Sequence, residues 1–397
     1  MIIESWVMGV SYESLRKIYY SNKENYENEY QNRFNADNAV RLDFRIKKNQ
    51  AFFKITPEID HLALSILTKD KAVMLLCKRL PGVARNQYLR DSLIEEIKHT
   101  NDIEGVRSTR KEITDAFEAI NENNKSIRFR GIAHRYSRLL KEKEEIKTCQ
   151  DVRKVYDDLL SDEIPDSDKP DGTIFRKGSV HVESATGKAI HEGIFPEEKI
   201  IQNMEQALQI LNSEKLHCLY RVAVFHYLFG YIHPFYDGNG RLSRYISSAI
   251  LSKDIEPIIS CRLSRVVYTM RKEYYEAFEE CNHLLNRGDV TSFVTMFLQV
   301  VLKAIENVEA DLMGREEMMV ALLQQFEEEI KLDRTYEYLI LAALFSEEGI
   351  STKELAVIMG KSKQTISKRL NEIKTKGLLL STRRGKEKCY KLDMSKI

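Results

Sequence analysis

Residues 233–244 read HPFYDGNGRLSR, which places a histidine, an acid, a Gly-Asn-Gly turn and two arginines within twelve positions. The stretch joins two segments of helical pattern, LHCLYRVAVFHYLFGYI (216–232) and RLSRYISSAILSK (241–253). Gly238-Asn239-Gly240 permits positive φ, which turns successive N–H groups into one concavity. The positive N-terminus of the following helix completes an anion site suited to phosphates. Arg241 and Arg244 stand three apart on that helix and share a face, so both guanidinium forks are expected to reach one polyphosphate. Asp237 is placed to hold one Mg²⁺ that also binds phosphate oxygens. His233, at the lip of the turn, is expected to have the near-neutral pKa of a general base. Pro234 fixes φ beside it, and Phe235 anchors the loop in the core. No Lys-Ser/Thr pair follows the glycines, so this is not a Walker-type loop.

Around this stretch the chain reads as mainly α. It has 397 residues, room for two or three domains, and only 7 prolines and 17 glycines, too few for a strand-rich sandwich or barrel. Apolar content of 43%, charged content of 30% and a net charge of +1 fit a soluble globular protein with no global pull toward nucleic acid or membrane. The six cysteines lack metal-ligand spacing and read as reduced thiols. The N-terminal MIIESWVMGVSYESLRK has no basic-then-apolar pattern of a secretory signal. The longest apolar run, Leu219–Ile232, is too short to cross a bilayer. A cytoplasmic protein without membrane contact is expected. SDEIPDSDKPDGT (161–173) reads as an exposed loop. TIFRKGSVHVESATGKAIHEG (173–193) is the best hairpin candidate, with Ile174, Phe175, Val180 and Val182 as its strand residues. Pro196, Glu197 and Glu198 then open a helix.

The last sixty residues differ in character. TYEYLILAALF makes one helix, STKELAVIMG a second with Ser351 and Glu354 as a capping box, and SKQTISKRLNEIKTKG a third. LLLSTRRGKEKCYKL then reads as a hairpin turning at Arg384–Gly385. This is the order of a winged helix. Residues 361–391 hold eleven Lys/Arg against two acids, Glu372 and Glu387, a net +9 on a chain of +1. Such a stripe on a recognition helix and wing is the footprint of duplex DNA binding.

HPFYDGNGRLSR resembles the motif of the Fic family, HPFx[D/E]GNGRxxR, at every specified position. The resemblance implies transfer of AMP from Mg·ATP to a Ser, Thr or Tyr hydroxyl of a target protein, or of the chain itself, with release of pyrophosphate. It makes His233 the base, Asp237 the Mg²⁺ ligand, Gly238, Asn239 and Gly240 the anion hole, and Arg241 and Arg244 the grip on the outer phosphates. It further implies a target-docking flap in FRKGSVHV (175–182), through Ser179, Val180, His181 and Val182. The helix RKEYYEAFEECN (271–282) would contact the base through Tyr275, Phe278, Glu279 and Asn282, which share a face. Upstream, HTNDIEG (99–105) fits the family's inhibitory pattern from Thr100 to Glu104-Gly105. Glu104 would then pair with Arg244 and deny ATP that guanidinium. The domains implied are a helical N-terminal extension (1–84), a Fic domain (85–310) with its inhibitory helix near 85–105, a linker helix (311–335) and a winged helix (336–397). Homodimers are common in such proteins. Two other readings are a DNA-binding regulator whose core senses nucleotide, and an enzyme that removes AMP with Glu104 positioning water.

Overall fold

The computed structural model describes residues 12–121, 127–139, 142, 144–183, 189–329, 334–346, 349–384 and 387–393. Its architecture is mainly helical, with three small antiparallel sheets. The site hangs on two consecutive helices, Cys218–Ile232 and Asn239–Leu251, joined by the loop 233–238. The first has apolar residues all round and lies almost wholly buried, as such a helix must. It packs between Glu197–Leu211, the second motif helix and the 39-residue helix Thr291–Glu329.

That long helix, about 58 Å at 1.5 Å per residue, lies alongside Pro57–Arg79. Within it, Thr291–Leu322 is apolar and long enough to cross a bilayer, where the shorter Leu219–Ile232 was expected to be the longest apolar run. Two thirds of its apolar window is buried inside the fold, the disposition of a core helix. The same helix runs unbroken through position 311, where a separate linker helix was expected.

The N-terminal extension is not all helical. Ala39–Ile46 and Asn49–Lys54 form an antiparallel hairpin, turning at Lys47 with φ 55. Leu42, Phe44 and Ile46 point into the core, while Arg41, Asp43 and Arg45 face solvent, the alternation of a half-buried strand.

The expected flap is a shorter hairpin than 173–193. His181–Glu183 pairs with Ala189–Glu192, and the connecting 184–188 lies outside the described residues. Ile174 and Phe175 belong to the core instead, in the segment leading to the hairpin. Their N–H groups and that of Thr173 donate to the Glu197 carboxylate at 2.8–3.0 Å. Pro196 is the N-cap of the next helix.

The C-terminal region is a winged helix. Helices Arg334–Leu344, Thr352–Met359 and Lys363–Thr375 carry a three-stranded sheet with Glu387–Leu392 between Ile350–Ser351 and Leu379–Arg384. Ser351 and Glu354 form the expected capping box. Arg384 pairs with Glu387 at the end of this hairpin; of the turn expected at Arg384–Gly385, position 385 lies outside the described residues. This region docks on the helix Gly82–Ile103, where Phe345 meets Tyr88 edge-on and Arg90 lies 3.6 Å from Glu354. All six cysteines are buried and unpaired.

Candidate active site

The loop begins where the first motif helix ends. His233 caps it in the left-handed region, φ 53 and ψ 64, with its N–H donating to Phe229 O at 2.9 Å. Gly238 is the N-cap of the second motif helix at φ 83, a conformation L-residues rarely adopt. The N–H groups of Asn239, Gly240 and Arg241 therefore have no partner within the helix and form its positive end. Asn239 contributes differently from expectation. Its side-chain oxygen accepts from Phe235 N–H at 3.0 Å and its amide donates to Phe235 O at 2.8 Å. The side chain fastens the loop, leaving the anion hole to backbone donors. Phe235 stacks on Tyr156 at 3.8 Å between ring centroids, which anchors the loop in the core.

A cavity opens over this helix end, lined by His233, Asn239, Gly240 and Arg244 from the motif and by Glu104. His181 and His191 from the hairpin, and Tyr275, Phe278 and Asn282 from the helix Arg271–Asn282, complete the wall. Of the four residues expected to contact a base, three line the cavity. Glu279 does not; it is exposed, on the edge of that helix face farthest from Tyr274. Tyr274, buried and inside the cavity, takes its place. Asn282 Oδ1 accepts from Tyr227 O–H at 2.8 Å.

The two arginines part company. Arg244 is 2% exposed at its side chain and lies in the cavity wall. Its Nε donates to Thr100 Oγ1 at 2.8 Å, and its Nη2 to Thr100 O at 3.2 Å and Glu104 Oε1 at 2.6 Å. Arg241 points the other way, toward Glu163 Oε2 at 3.3 Å and Asp237 Oδ2 at 3.4 Å, and is not part of the cavity wall. The three-residue spacing put both on one face, but buried Glu163, 78 positions away, draws Arg241 aside. Burial pushes the Glu163 carboxyl up to about 7.

A helix end aims Glu104 at the Arg244 guanidinium. The helix Gly82–Ile103 ends in a Schellman motif, with Val106 N–H on Asn101 O, Gly105 N–H on Asp102 O and Gly105 at φ 71. Glu104, its C-cap, is thereby aimed at the start of the motif helix. A Cβ on Gly240 would collide with the Glu104 carboxylate, so glycine there is what admits the pair.

His233 departs from the near-neutral expectation. Burial, then the nearby Arg176 charge, lower its pKa to about 4, against the opposing pull of Glu104. The ring is neutral at physiological pH and able to accept a proton. Behind Arg244, buried His226 links Ser247 Oγ at 2.8 Å to Tyr274 Oη at 2.7 Å. Ser247 O–H donates to Ser243 O, so the ring nitrogen toward Ser247 carries the proton and the other accepts from Tyr274. Burial holds His226 near 3, which keeps that tautomer neutral.

In the flap segment, Ser179 and His181 are exposed and Val180 is half-buried, while Val182 pairs through its backbone with His191. Sequence reasoning missed Tyr274, His191, Glu163 and Arg176. Their signals were confined to single residues far from the motif.

Comparison with known proteins follows the same outline. The Fic/DOC family model matches residues 147–251, and the MarR family model matches 331–386. Curated relatives include "Protein adenylyltransferase Fic" of Nematostella vectensis, 25% identical over 283 residues, 68% of this chain and 61% of the relative. The protein of the same name from Drosophila sechellia is 30% identical over 140 residues, 35% of this chain and 26% of the relative. The chain spans less than two thirds of the length of these relatives. A Fic family protein from Desulfovibrio desulfuricans G20 shares the fold, with a TM-score of 0.53, 20% identity, and coverage of 86% of this chain and 97% of that one. The family match contains 233–244 and the flap but not Glu104 or 271–282; those positions rest on the geometry above.

Proposed function

We propose that this chain, which belongs to the Fic/DOC family through residues 147–251, is a protein adenylyltransferase held in check by its own Glu104. Curated relatives bear the adenylyltransferase name, and one observation carries the regulatory half. Arg244, the cationic side chain in the cavity wall, is already engaged by Thr100 and Glu104.

In the transfer reaction the target hydroxyl gives its proton to neutral His233 as its oxygen bonds to the α-phosphorus of ATP. The bond from that phosphorus to the bridging oxygen breaks, and pyrophosphate leaves. The helix N-terminus at 239–241 opposes the developing phosphate charge, and Arg244 serves the outer phosphates. Asp237 is the residue that would hold Mg²⁺: its carboxylate is 46% exposed and accepts from Gly238 N–H at 2.5 Å, beside the cavity and outside its lining. One carboxylate plus substrate oxygens and water is how this ion is usually held. Bound there, Mg²⁺ would neutralise phosphate charge. While Glu104 occupies Arg244, the outer phosphates lack their guanidinium and AMP transfer is suppressed. We assign the reaction to the cytoplasm, where unpaired thiols such as these six persist.

The test is intact-mass spectrometry of purified Glu104→Gly protein with Mg·ATP. AMP adducts are expected, and adding His233→Ala removes them. Protein that gains no AMP sinks the transferase reading, and removal of AMP from a modified target by the wild type would then identify the reverse activity.

A second reading concerns the winged helix. Lys361, Lys363, Lys368, Lys374 and Lys376 are exposed on and beside one helix of a region matching the MarR family. We propose that this face binds duplex DNA. Retention in a gel shift should fall steeply with salt; salt-independent binding, or none, refutes it.

A further inference from the structure

We infer that Arg176 is a positioning residue that fastens both feet of the hairpin 181–192 to the backbone of His233, an assignment that rests on the transferase reading. Arg176 is fully buried, yet among the described residues it forms no ion pair with a carboxylate. Its guanidinium donates to three backbone carbonyls from three segments. Nε reaches His233 O at 2.9 Å, Nη2 reaches Ile194 O at 2.9 Å, and Nη1 reaches Gly178 O. Gly178 leads into the first hairpin strand, and Ile194 follows the second. The Arg176 N–H itself donates to Pro234 O at 3.2 Å.

The consequence lies in the backbone of His233. A non-glycine residue in the left-handed region persists only where its surroundings over-determine it. The helix supplies one restraint, through the His233 N–H, and Arg176 supplies the other, through its carbonyl. The hairpin feet are closed by Gly193 N–H on Val180 O at 3.0 Å and Ile194 N–H on Ile232 O at 3.1 Å. The strands that present His181 and His191 to the cavity are thus referenced to the same guanidinium as the base. A buried cation without an anion is costly, and the three carbonyls on this guanidinium offset that cost. Lysine could keep the charge but not the three-way fork. The charged and titratable groups around the His233 ring are Glu104 from the helix Gly82–Ile103, His191 from the hairpin and Arg176 itself. Arg176 holds the ring pKa down and Glu104 acts against it.

The experiment uses the full chain carrying Glu104→Gly, with Arg176→Met or Arg176→Lys added. Three quantities are read: Mg·ATP affinity by calorimetry, self-modification rate at saturating Mg·ATP, and the His233 pKa by NMR of ¹³C-histidine-labelled protein, assigned with His233→Ala. Mg·ATP affinity should stay unchanged, since Arg176 does not line the cavity. The rate should fall on the order of a hundredfold in both variants, the cost of a misplaced reacting group. The His233 pKa should rise in Arg176→Met and stay low in Arg176→Lys. A folded Arg176→Met that keeps the parent's rate overturns the assignment; if that variant does not fold, an Arg176→Lys with the parent's rate does so. Loss of Mg·ATP binding in step with the rate also overturns it, as general structural damage. Should the Glu104→Gly parent incorporate no AMP, the transferase reading fails by itself. The NMR titration then decides Arg176, and an unmoved His233 pKa in Arg176→Met rejects it.

Discussion

Arg241 and Arg244 leave the same helix one turn apart and enter opposite environments. Arg244 meets the cavity, held by a threonine and a glutamate at the end of a distant helix. Arg241 meets Glu163 and Asp237 behind the loop and braces the carboxylate proposed to hold Mg²⁺. The chemistry of an arginine is identical in both; what differs is whether its partner can be displaced. Glu104 is 24% exposed at its side chain and borders an open cavity. Glu163 is 7% exposed at its side chain and is not in the lining of that cavity. Under the proposed function the first pair exchanges with ATP and the second stays.

The largest expected effect tests what the two pairs serve. His233→Ala in a Glu104→Gly background should lower AMP incorporation by on the order of 10²–10⁴, read by mass spectrometry. Because the folded ring titrates near 4, its own protonation should not slow the reaction until the pH nears that value. An acid limb assigned to His233 near pH ~6.5 would contradict the site electrostatics.

Next, releasing the exchangeable pair with Glu104→Gly should accelerate self-modification by about 5- to 150-fold, the usual range of a coupling between sites. The fixed pair should answer in stability instead. Arg241→Met leaves Glu163 buried without its cation, which costs ~3 kcal/mol and is read as a lower melting temperature. The sign with pH follows from Glu163. Its folded pKa is raised to about 7, so the fold favours the protonated form, and this contribution fades as pH rises through that value. Arg241 lowers the Glu163 carboxyl, so without it the carboxyl stays protonated to higher pH and the deficit of Arg241→Met should widen from about pH 6 to about pH 8. The smallest effect belongs to Thr100→Val. It removes one hydrogen bond to Arg244 but leaves Glu104, so derepression should be roughly fivefold at most.

Much of this site was legible because its chemistry is compressed into twelve residues. Turn, helix end, histidine and acid lie within a few positions of one another, and local geometry fixes them together. Thr100 and Glu104 were legible only through the resemblance of HTNDIEG to an inhibitory pattern, since a glutamate before a helix-ending glycine is by itself ordinarily solvated. The failures share a cause. Helical spacing reports which residues share a face but not what packs there, so Arg241 and Glu279 were placed in the cavity when a remote carboxylate and open solvent claim them. The hairpin at 39–54 was missed although its alternation stands in the sequence, with apolar Leu42, Phe44 and Ile46 between polar Arg41, Asp43 and Arg45. Arg176 sits among turn residues, and nothing in KGSV announces three carbonyls converging on it.

The central claim is that Glu104 and the outer phosphates of ATP compete for Arg244. Calorimetric titration of wild type and Glu104→Gly with Mg·ATP and with AMP tests it most directly. Competition predicts that removing the carboxylate tightens Mg·ATP binding while leaving AMP, which has no outer phosphates, nearly unaffected. An equal change for both nucleotides, or none for Mg·ATP, would contradict it.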